Sequence, residues 1–353
     1  MSSDECTATA AANEIKRLAP DFKPRIGIVL GSGCGDVAKA FENPIVVDYG
    51  KLPGFPISTV EGHAGQLLLG TLNGVPVAGL KGRVHYYEGN PKAMVVPIYT
   101  LKLLGVEFVF ITNAAGSLIK EAGPGALVAL TDHMNFSGAN PLIGKNDPIG
   151  PRFPSMFQAY DPVLRSELLE VAKENKIPVL EGVYVGTSGP SFETAAEINA
   201  YRIMGAHVVG MSTVGEVILA RHCGIRVCAM SVVVNYAAGM TDDHITHEET
   251  LHYTKVRSVN RACEPQSRLP FVHAPVSARP RELPPLTIGL GGAAARRWRR
   301  RTLRRWSRAG SPASSRCPPP ERPTAHLFPH APFPRDPPSF RHTVGGRAAK
   351  RRR

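Results

Sequence analysis

The chain has 353 residues, which is enough for one large α/β domain or two smaller ones. Its net charge of +13 would suit a nucleic-acid-binding protein, but 22 of the 42 basic residues and only 4 of the 29 acidic residues lie beyond residue 256. The first 256 residues carry a net charge of −5, so a basic globular domain is excluded.

The N-terminal segment lacks the basic-then-apolar order of a signal peptide. No apolar run approaches the roughly 18 residues that a membrane span needs. The six cysteines form no CxxC pair, and we expect them to be reduced thiols. These features predict a cytoplasmic protein that does not associate with membranes.

Apolar segments rich in β-branched residues alternate with segments of helical spacing through the first 255 residues. This alternation predicts a single α/β domain with a central mixed β-sheet flanked by helices. The predicted strands are residues 25–30, 76–80, 106–112, 126–130, 208–211 and 227–234, and the predicted helices are residues 92–104, 162–175, 195–204 and 215–223. Ligands of such sheets bind at the carboxyl ends of strands, so motifs there are candidates for function.

Beyond residue 255 the alternation ends. Residues 256–353 contain 16 of the 32 prolines and basic runs such as ARRWRRRTLRRW. This composition cannot bury enough apolar surface to offset the entropy of ordering, so we expect a disordered C-terminal tail. Binding to nucleic acid or to a membrane surface is the alternative role for the tail. The predicted organisation is therefore a domain at residues 1–255 followed by a basic Pro/Arg-rich tail.

Two motifs carry groups that suit a phosphate. GSGCG follows the first strand, and its glycine amides and the Ser32 hydroxyl can face an anion, although such a loop is more often only a turn. In GRVHYYEG, Arg83, His85 and Tyr87 point the same way on an extended segment. A guanidinium beside an imidazole suits a phosphate dianion, and Glu88 can orient or charge the imidazole. A solvated polar loop is the alternative.

Three further motifs suit an aromatic, hydrogen-bonding ligand. TNAAGS ends the third predicted strand, and its small residues allow backbone amides to face a ligand. Small residues also allow a strand and a helix to pack closely, which is the alternative. GPSFET places Phe192 beside Glu193, a stacking face beside an acceptor, although a carboxylate there also suits a helix dipole. In VVVN, Asn235 stands at the end of a buried strand, where its side-chain amide can both donate and accept hydrogen bonds. The alternative is that this asparagine only forms a turn.

Two more segments contain residues that could bind an anion or a metal ion. Ser212 and Thr213 in GMSTVGEV form a strand-to-helix turn that can cap the helix or hold an oxyanion. The string HEETLH resembles a zinc motif, but its second histidine, His252, stands five residues after His247 rather than four and so turns away on a helix. We therefore predict no metal site.

Over about residues 10–254 the chain resembles the trimeric purine nucleoside phosphorylase family. The resemblance is carried by motifs in the same order: GSGCG, GHAG, GRVHYYEG, TNAAGS, GPSFET, GMSTVGEVILARHCG and VVVN with a later THEE. The resemblance implies the nucleoside phosphorylase fold and a homotrimer with sites near the subunit interface. It implies a pentosyltransferase of purine salvage that converts inosine, guanosine or xanthosine and their deoxy forms reversibly to free base and (deoxy)ribose 1-phosphate. Phosphate is then a co-substrate, and no cofactor is required.

The resemblance also assigns roles to residues at matching positions. It implies phosphate binding by Ser32, His63, Arg83, His85, the backbone amide of Ala115 and Ser212. Ribose binding is implied for Tyr87, Met211 and His247, and purine binding for Phe192, Glu193 and Asn235. The catalytic residues are then Asn235, Glu193 and His85. Phe153 resembles the aromatic residue that a neighbouring subunit lends to the pocket.

Two departures from the family pattern matter. Val234 precedes Asn235 where many mammalian members have threonine, so the choice among the three nucleosides stays open. The tail replaces the family's long C-terminal helix, so we expect stability or trimer assembly to suffer. Two alternatives remain: a methylthioadenosine phosphorylase, which has aspartate at the position of Asn235, and an inactive scaffold whose tail binds nucleic acid nonspecifically.

Overall fold

Residues 3–32, 34–59 and 64–241 are described by the computed structural model, and they form one α/β domain of nine strands and five helices. The strands are β1 (Ile26–Leu30), β2 (Glu42–Asp48), β3 (Gln66–Leu72), β4 (Val75–Lys81), β5 (Phe108–Ser117), β6 (Leu127–Asn135), β7 (Val179–Gly186), β8 (Val208–Gly210) and β9 (Arg226–Tyr236). The helices are α1 (Ser3–Leu18), α2 (Val95–Leu103), α3 (Pro162–Glu174), α4 (Ala195–Ile203) and α5 (Val214–His222).

All six predicted strands and all four predicted helices are present, which confirms the predicted α/β class. Two strand ends were wrong: the third predicted strand does not stop at Thr112 but includes TNAAGS, and β6 runs beyond Leu130 to Asn135. β5 continues through Ser117, paired along its length with β9 and, at Gly116 and Ser117, with β8. The small side chains let a strand run on where three strands meet closely, and a bulkier segment would have had to end there. Helix α1 and strands β2, β3 and β7 were not predicted.

The strands form a mixed sheet in the order β2-β3-β4-β1-β5-β8-β7-β6-β9. β1 lies parallel to β4 and β5, and β5 lies parallel to β9, so the carboxyl ends of these four strands lie at one edge. β9 also pairs with β6, so β5, β8, β7, β6 and β9 close into a ring. The loops after β1 and β4 therefore meet β5 beside Thr112, within the strand.

The helices cover this sheet and fix the loops that follow the strands. α2 is buried from Val95 to Leu101 and packs against α1 and α5, which explains why its sequence is apolar on every side. α5 begins at Val214, directly after the end of β8, and is buried over most of its length. Within the described residues, none of the helices has the length and apolarity of a membrane span.

Candidate active site

A buried ion pair lies at the centre of the strand-end region. The Arg83 guanidinium follows β4, is 2 % exposed, and donates from Nη1 to Glu216 Oε1 over 2.9 Å. Its Nη2 donates to the backbone carbonyl of Thr112 on β5. Because a buried charge is stable only when it is paired and hydrogen-bonded, these partners hold Arg83 in one orientation. The ion pair joins the loop after β4 to the first turn of α5.

Thr213 joins four of the sequence motifs. Its Oγ1 accepts from Arg83 Nη1 over 3.2 Å and from Asn113 Nδ2 over 2.9 Å, and it lies 3.2 Å from Ser212 Oγ. Thr112 Oγ1 completes the connection to the first motif, since it accepts from the backbone N–H of Gly31 over 3.2 Å. GSGCG, GRVHYYEG, TNAAGS and GMSTVGEV therefore meet at one place, as their positions at strand ends predicted.

His85 is held by the carboxylate of Glu88, as the sequence suggested. Glu88 Oε1 accepts from the backbone N–H of His85 over 2.8 Å and lies 3.3 Å from His85 Nδ1. Burial acts to raise the pKa of Glu88, but hydrogen bonds from His85 and Thr59 outweigh it and lower that pKa. Glu88 therefore stays ionised beside the imidazole. The His85 ring also stacks on Tyr87, with ring centroids 4.8 Å apart.

Two of the three residues implied for ribose binding, Tyr87 and Met211, come together around Gly189. A Cβ added there would overlap Met211 Sδ and lie 3.1 Å from Tyr87 Cδ1, so these two side chains are neighbours. Met211 also lines, with His85, Thr187 and Ser212, a cleft that opens to solvent. Burial raises the pKa of Tyr184 to about 12, so its neutral hydroxyl accepts from the backbone N–H of Ser212.

Of the residues implied for purine binding, Phe192 and Glu193 lie on the loop between β7 and α4, and Asn235 lies within β9 near its end. Glu193 Oε1 accepts from Thr187 Oγ1 over 2.7 Å, just after β7. The first-turn capping role considered for Glu193 belongs instead to Glu197, whose carboxylate accepts from the backbone N–H of Thr194. Phe192 is 41 % exposed. Asn235 lies opposite Gly116 on β5, and its Oδ1 is 3.0 Å from the position that a Cβ on Gly116 would occupy.

Other assigned residues lie elsewhere. His63 and His247 are outside the described residues. Phe153 is 88 % exposed, and the Arg152 guanidinium lies 5.8 Å from its ring centroid, so its ring is not packed into the core of the described residues. Ser32 follows β1 beside Gly31, and Ala115 is buried within β5.

Sequence reasoning missed the partners of these residues, namely Thr112, Asn113, Thr187, Thr213 and Glu216. Thr213 had been considered as a helix cap or an oxyanion ligand, but its side chain makes no capping hydrogen bond. Glu216 stands in the first turn of α5, where a carboxylate ordinarily serves the helix dipole. The available signal was an acidic residue among the apolar residues of the first two turns of α5.

Comparison with known proteins agrees with this arrangement. The model of the phosphorylase superfamily matches residues 25–264. Purine nucleoside phosphorylase 1 of Bacillus subtilis (strain 168) is 49% identical over 247 residues, which cover 69% of this chain and 91% of that protein. Purine nucleoside phosphorylase of Mus musculus is 42% identical over 222 residues, 61% of this chain and 77% of that protein.

A solved structure is similar over the same part of the chain. The crystal structure of schistosoma purine nucleoside phosphorylase in complex with hypoxanthine superposes with a TM-score of 0.67 at 40% identity, covering 71% of this chain and 91% of that chain. The fold and the strand-end site thus define a member of the phosphorylase superfamily. Within that superfamily, the chain belongs to the purine nucleoside phosphorylase family.

Proposed function

We propose that this chain catalyses the reversible phosphorolysis of 6-oxopurine ribonucleosides and deoxyribonucleosides to the free base and (deoxy)ribose 1-phosphate. The observation that carries the proposal is the network of Arg83, Thr213 and Ser212, of which Ser212 lines the same cleft as His85 and Met211. Related schistosomal enzymes were crystallised with inosine and with guanosine, which supports these substrates.

Phosphate is bound, in this proposal, by Ser32, His63, Arg83, His85, the Ala115 amide and Ser212. Glu216 neutralises much of the charge of Arg83, so hydrogen-bond donors rather than a bare cation bind the dianion. If Nδ1–H of His85 is directed to Glu88, the neutral ring presents only an acceptor at Nε2. His85 then donates to phosphate as the imidazolium, and the Glu88 carboxylate favours that form.

The base leaves as negative charge moves onto the purine. Glu193 accepts from the ring N–H edge, while Asn235 donates to a purine acceptor that gains charge as the glycosidic bond loosens. A donor directed at developing charge lowers the barrier because it is already oriented. Tyr87, Met211 and His247 hold the ribose, Phe192 lies against the base, and phosphate attacks the anomeric carbon of an oxocarbenium-like ribosyl group from the opposite face.

The finer assignments are also proposals. We infer a homotrimer in which Phe153 enters a neighbouring subunit's pocket. We also infer that the protein acts in cytoplasmic purine salvage. The reaction needs no metal or organic cofactor, because phosphate itself is the nucleophile. The exposed ring of Phe153 supports the first of these. The division at residue 255 and the disorder of the tail stay predictions, since residues 242–353 lie outside the described part of the chain.

The test is phosphate-dependent release of hypoxanthine from inosine, with an Asn235→Asp variant alongside. A carboxylate cannot donate to the charged purine, so kcat/KM for inosine should fall by about 100-fold or more, the usual cost of losing such a donor. Asn73→Asp, the same change in the exposed β3–β4 turn, should leave kcat/KM unchanged.

Three results would contradict the proposal. Release of hypoxanthine without phosphate would indicate a hydrolase. A preference of the unaltered chain for methylthioadenosine over inosine would indicate the related phosphorylase of that nucleoside. Salt-dependent binding to generic DNA without any phosphorolysis would indicate a scaffold that acts through its tail.

A further inference from the structure

Thr213 occupies an unusual backbone turn at the start of α5. Its φ of 73° and ψ of −52° are those of a γ-turn, and the backbone N–H of Val214 donates to the carbonyl of Ser212 over 2.8 Å. A β-branched residue rarely adopts positive φ, and such strain persists only where the surroundings over-determine it. Thr213 is fully buried and its hydroxyl does not cap the helix. The turn therefore serves contacts other than helix capping.

The directions of the hydrogen bonds at Thr213 follow from counting. A hydroxyl has two acceptor lone pairs and one hydrogen. Arg83 Nη1 and the Asn113 amide both donate to Thr213 Oγ1 and occupy its two lone pairs. Its single hydrogen is left for the third neighbour, Ser212 Oγ, 3.2 Å away. Ser212 Oγ thus accepts from Thr213, and its own hydrogen is not used in that contact.

We propose that Thr213 is a positioning residue that makes the Ser212 hydroxyl a hydrogen-bond donor to phosphate and holds the Arg83 guanidinium beside it. This inference rests on the function proposed above, in which Ser212 and Arg83 bind phosphate. Without the Thr213 hydroxyl, Arg83 and Asn113 each lose an acceptor in a buried place. The Ser212 hydroxyl then loses the donor that occupies one of its lone pairs and leaves its own hydrogen available for phosphate.

The sharpest comparison is between Thr213→Ala and Thr213→Ser. Both variants lack the β-branch that makes positive φ costly, so both relax the backbone alike, and they differ only in the hydroxyl. Thr100→Ala and Thr100→Ser on α2 are the matched controls, because Thr100 is equally buried and its Oγ1 donates only to the backbone carbonyl of Ala8, over 3.4 Å. Melting temperatures establish that every variant folds.

Binding of inorganic phosphate, measured by calorimetry on the full chain, should weaken by about tenfold or more in Thr213→Ala, the loss expected for hydrogen bonds to a charged group. Thr213→Ser should bind phosphate within about threefold of the unaltered chain, since the hydroxyl is restored. In steady-state assays KM for phosphate should rise in Thr213→Ala, while KM for inosine stays the same. The Thr100 pair should show neither change.

The outcomes separate this inference from the proposed function. Phosphorolysis of inosine with equal phosphate affinity in Thr213→Ala and Thr213→Ser would overturn the role of Thr213 and leave the function standing. Phosphate binding that depends on the hydroxyl, without phosphorolysis, would support Thr213 and overturn the function. Failure of the unaltered chain to bind inorganic phosphate, or a parallel rise in both KM values, would overturn the inference.

Discussion

Gly31 stands at the end of β1 against the backbone of β5. A Cβ at this position would overlap the carbonyl oxygen of Thr112 and lie 2.6 Å from Arg83 Nη2. Gly35, at the other end of the GSGCG motif, has open space around it. The two glycines look equivalent in the sequence, but only the first is required by a close approach to the buried guanidinium.

We therefore expect Gly31→Ala to displace Arg83 and to raise KM for phosphate by about tenfold or more, as loss of hydrogen bonds to a charged group would do. Its melting temperature should also fall, because the contact is with backbone that cannot move away. Gly35→Ala in the same loop should change stability by less than about 0.5 kcal/mol and leave KM unchanged. Equal effects of the two substitutions would contradict this account.

At the scale of single residues, the sequence indicated the groups that can contact a ligand but not the groups that orient them. Arg83, His85 and Ser212 stand in dense local motifs, whereas the side chains that bind Arg83, Thr213 and Glu216, are 130 and 133 residues away along the chain. The positive φ of Thr213 has no local signal, since a threonine before a helix ordinarily acts as a cap. Tertiary contacts therefore determined what sequence patterns could not.

Between elements, Asp161 links the start of α3 to the start of β9. One oxygen, Oδ1, accepts from the backbone N–H groups of Val163 and Leu164 over 3.0 Å each and so caps the helix. The carboxylate also accepts from Arg226 Nε over 2.6 Å and from Nη2 over 2.8 Å. A bidentate pair of this kind fixes direction as well as distance. It therefore sets how α3 packs beside β9.

We expect Asp161→Asn to lower the free energy of unfolding by about 1–2 kcal/mol, because asparagine still caps the helix but loses the ion pair. For a domain of this size the melting temperature should fall by roughly 2–8 °C. The control is Asp36→Asn, which breaks an exposed pair with Lys39 and should have almost no effect. Equal changes in the two variants would indicate that the partly buried Asp161–Arg226 pair adds no stability.

The effect of Asp161→Asn should depend on pH in one direction. Burial acts to raise the pKa of Asp161, but the hydrogen bond from Arg226 and those from the backbone outweigh it, so the pKa lies below its ordinary 3.8. Because folding lowers the pKa of Asp161, its carboxylate stabilises the fold at pH values above its pKa in the unfolded chain. That stability is lost as the pH falls through its pKa in the folded protein. The difference in melting temperature should be full at pH 6 and shrink below about pH 4.

At the scale of elements, prediction depended on how clearly each segment signals its type. β2 begins Glu42-Asn43-Pro44 and has several exposed positions, so neither composition nor alternation marked it as a strand. In β7, Glu181 and Gly182 interrupt the apolar pattern. The extent of β5 depends on two neighbouring strands that come from distant parts of the chain, and no local window contains that information.

For the whole molecule, the exposed Phe153 allows the proposed trimer to be tested by complementation. If Phe153 serves a neighbouring pocket, Phe153→Ala and Asn235→Asp impair the same site from different subunits. When the two variants are refolded together at equal amounts, random cyclic trimers should have about one quarter of their sites intact. Activity on inosine should then recover to about one quarter of that of the unaltered chain.

Recovery should not occur if Phe153 acts within its own chain, because every subunit then keeps one impaired group. Phe157→Ala is the control, since Phe157 is similarly exposed a few residues further along. A mixture of Phe157→Ala with Asn235→Asp should have no more activity on inosine than the two variants show separately, added in the same amounts. Sedimentation of each sample establishes whether trimers formed.

The closure of the sheet through β9 also bears on how the protein behaves at high concentration. β9 pairs with both β5 and β6, so among the described strands β2 is the one with a neighbouring strand on one side only. An unpaired strand invites other copies to add to it and to grow into fibrils. β2 resists such growth because its pairing with β3 shifts between Glu42 and Ile45, where Pro44 has no N–H to offer. The same sheet that assembles the site is thus protected from polymerisation at its open side.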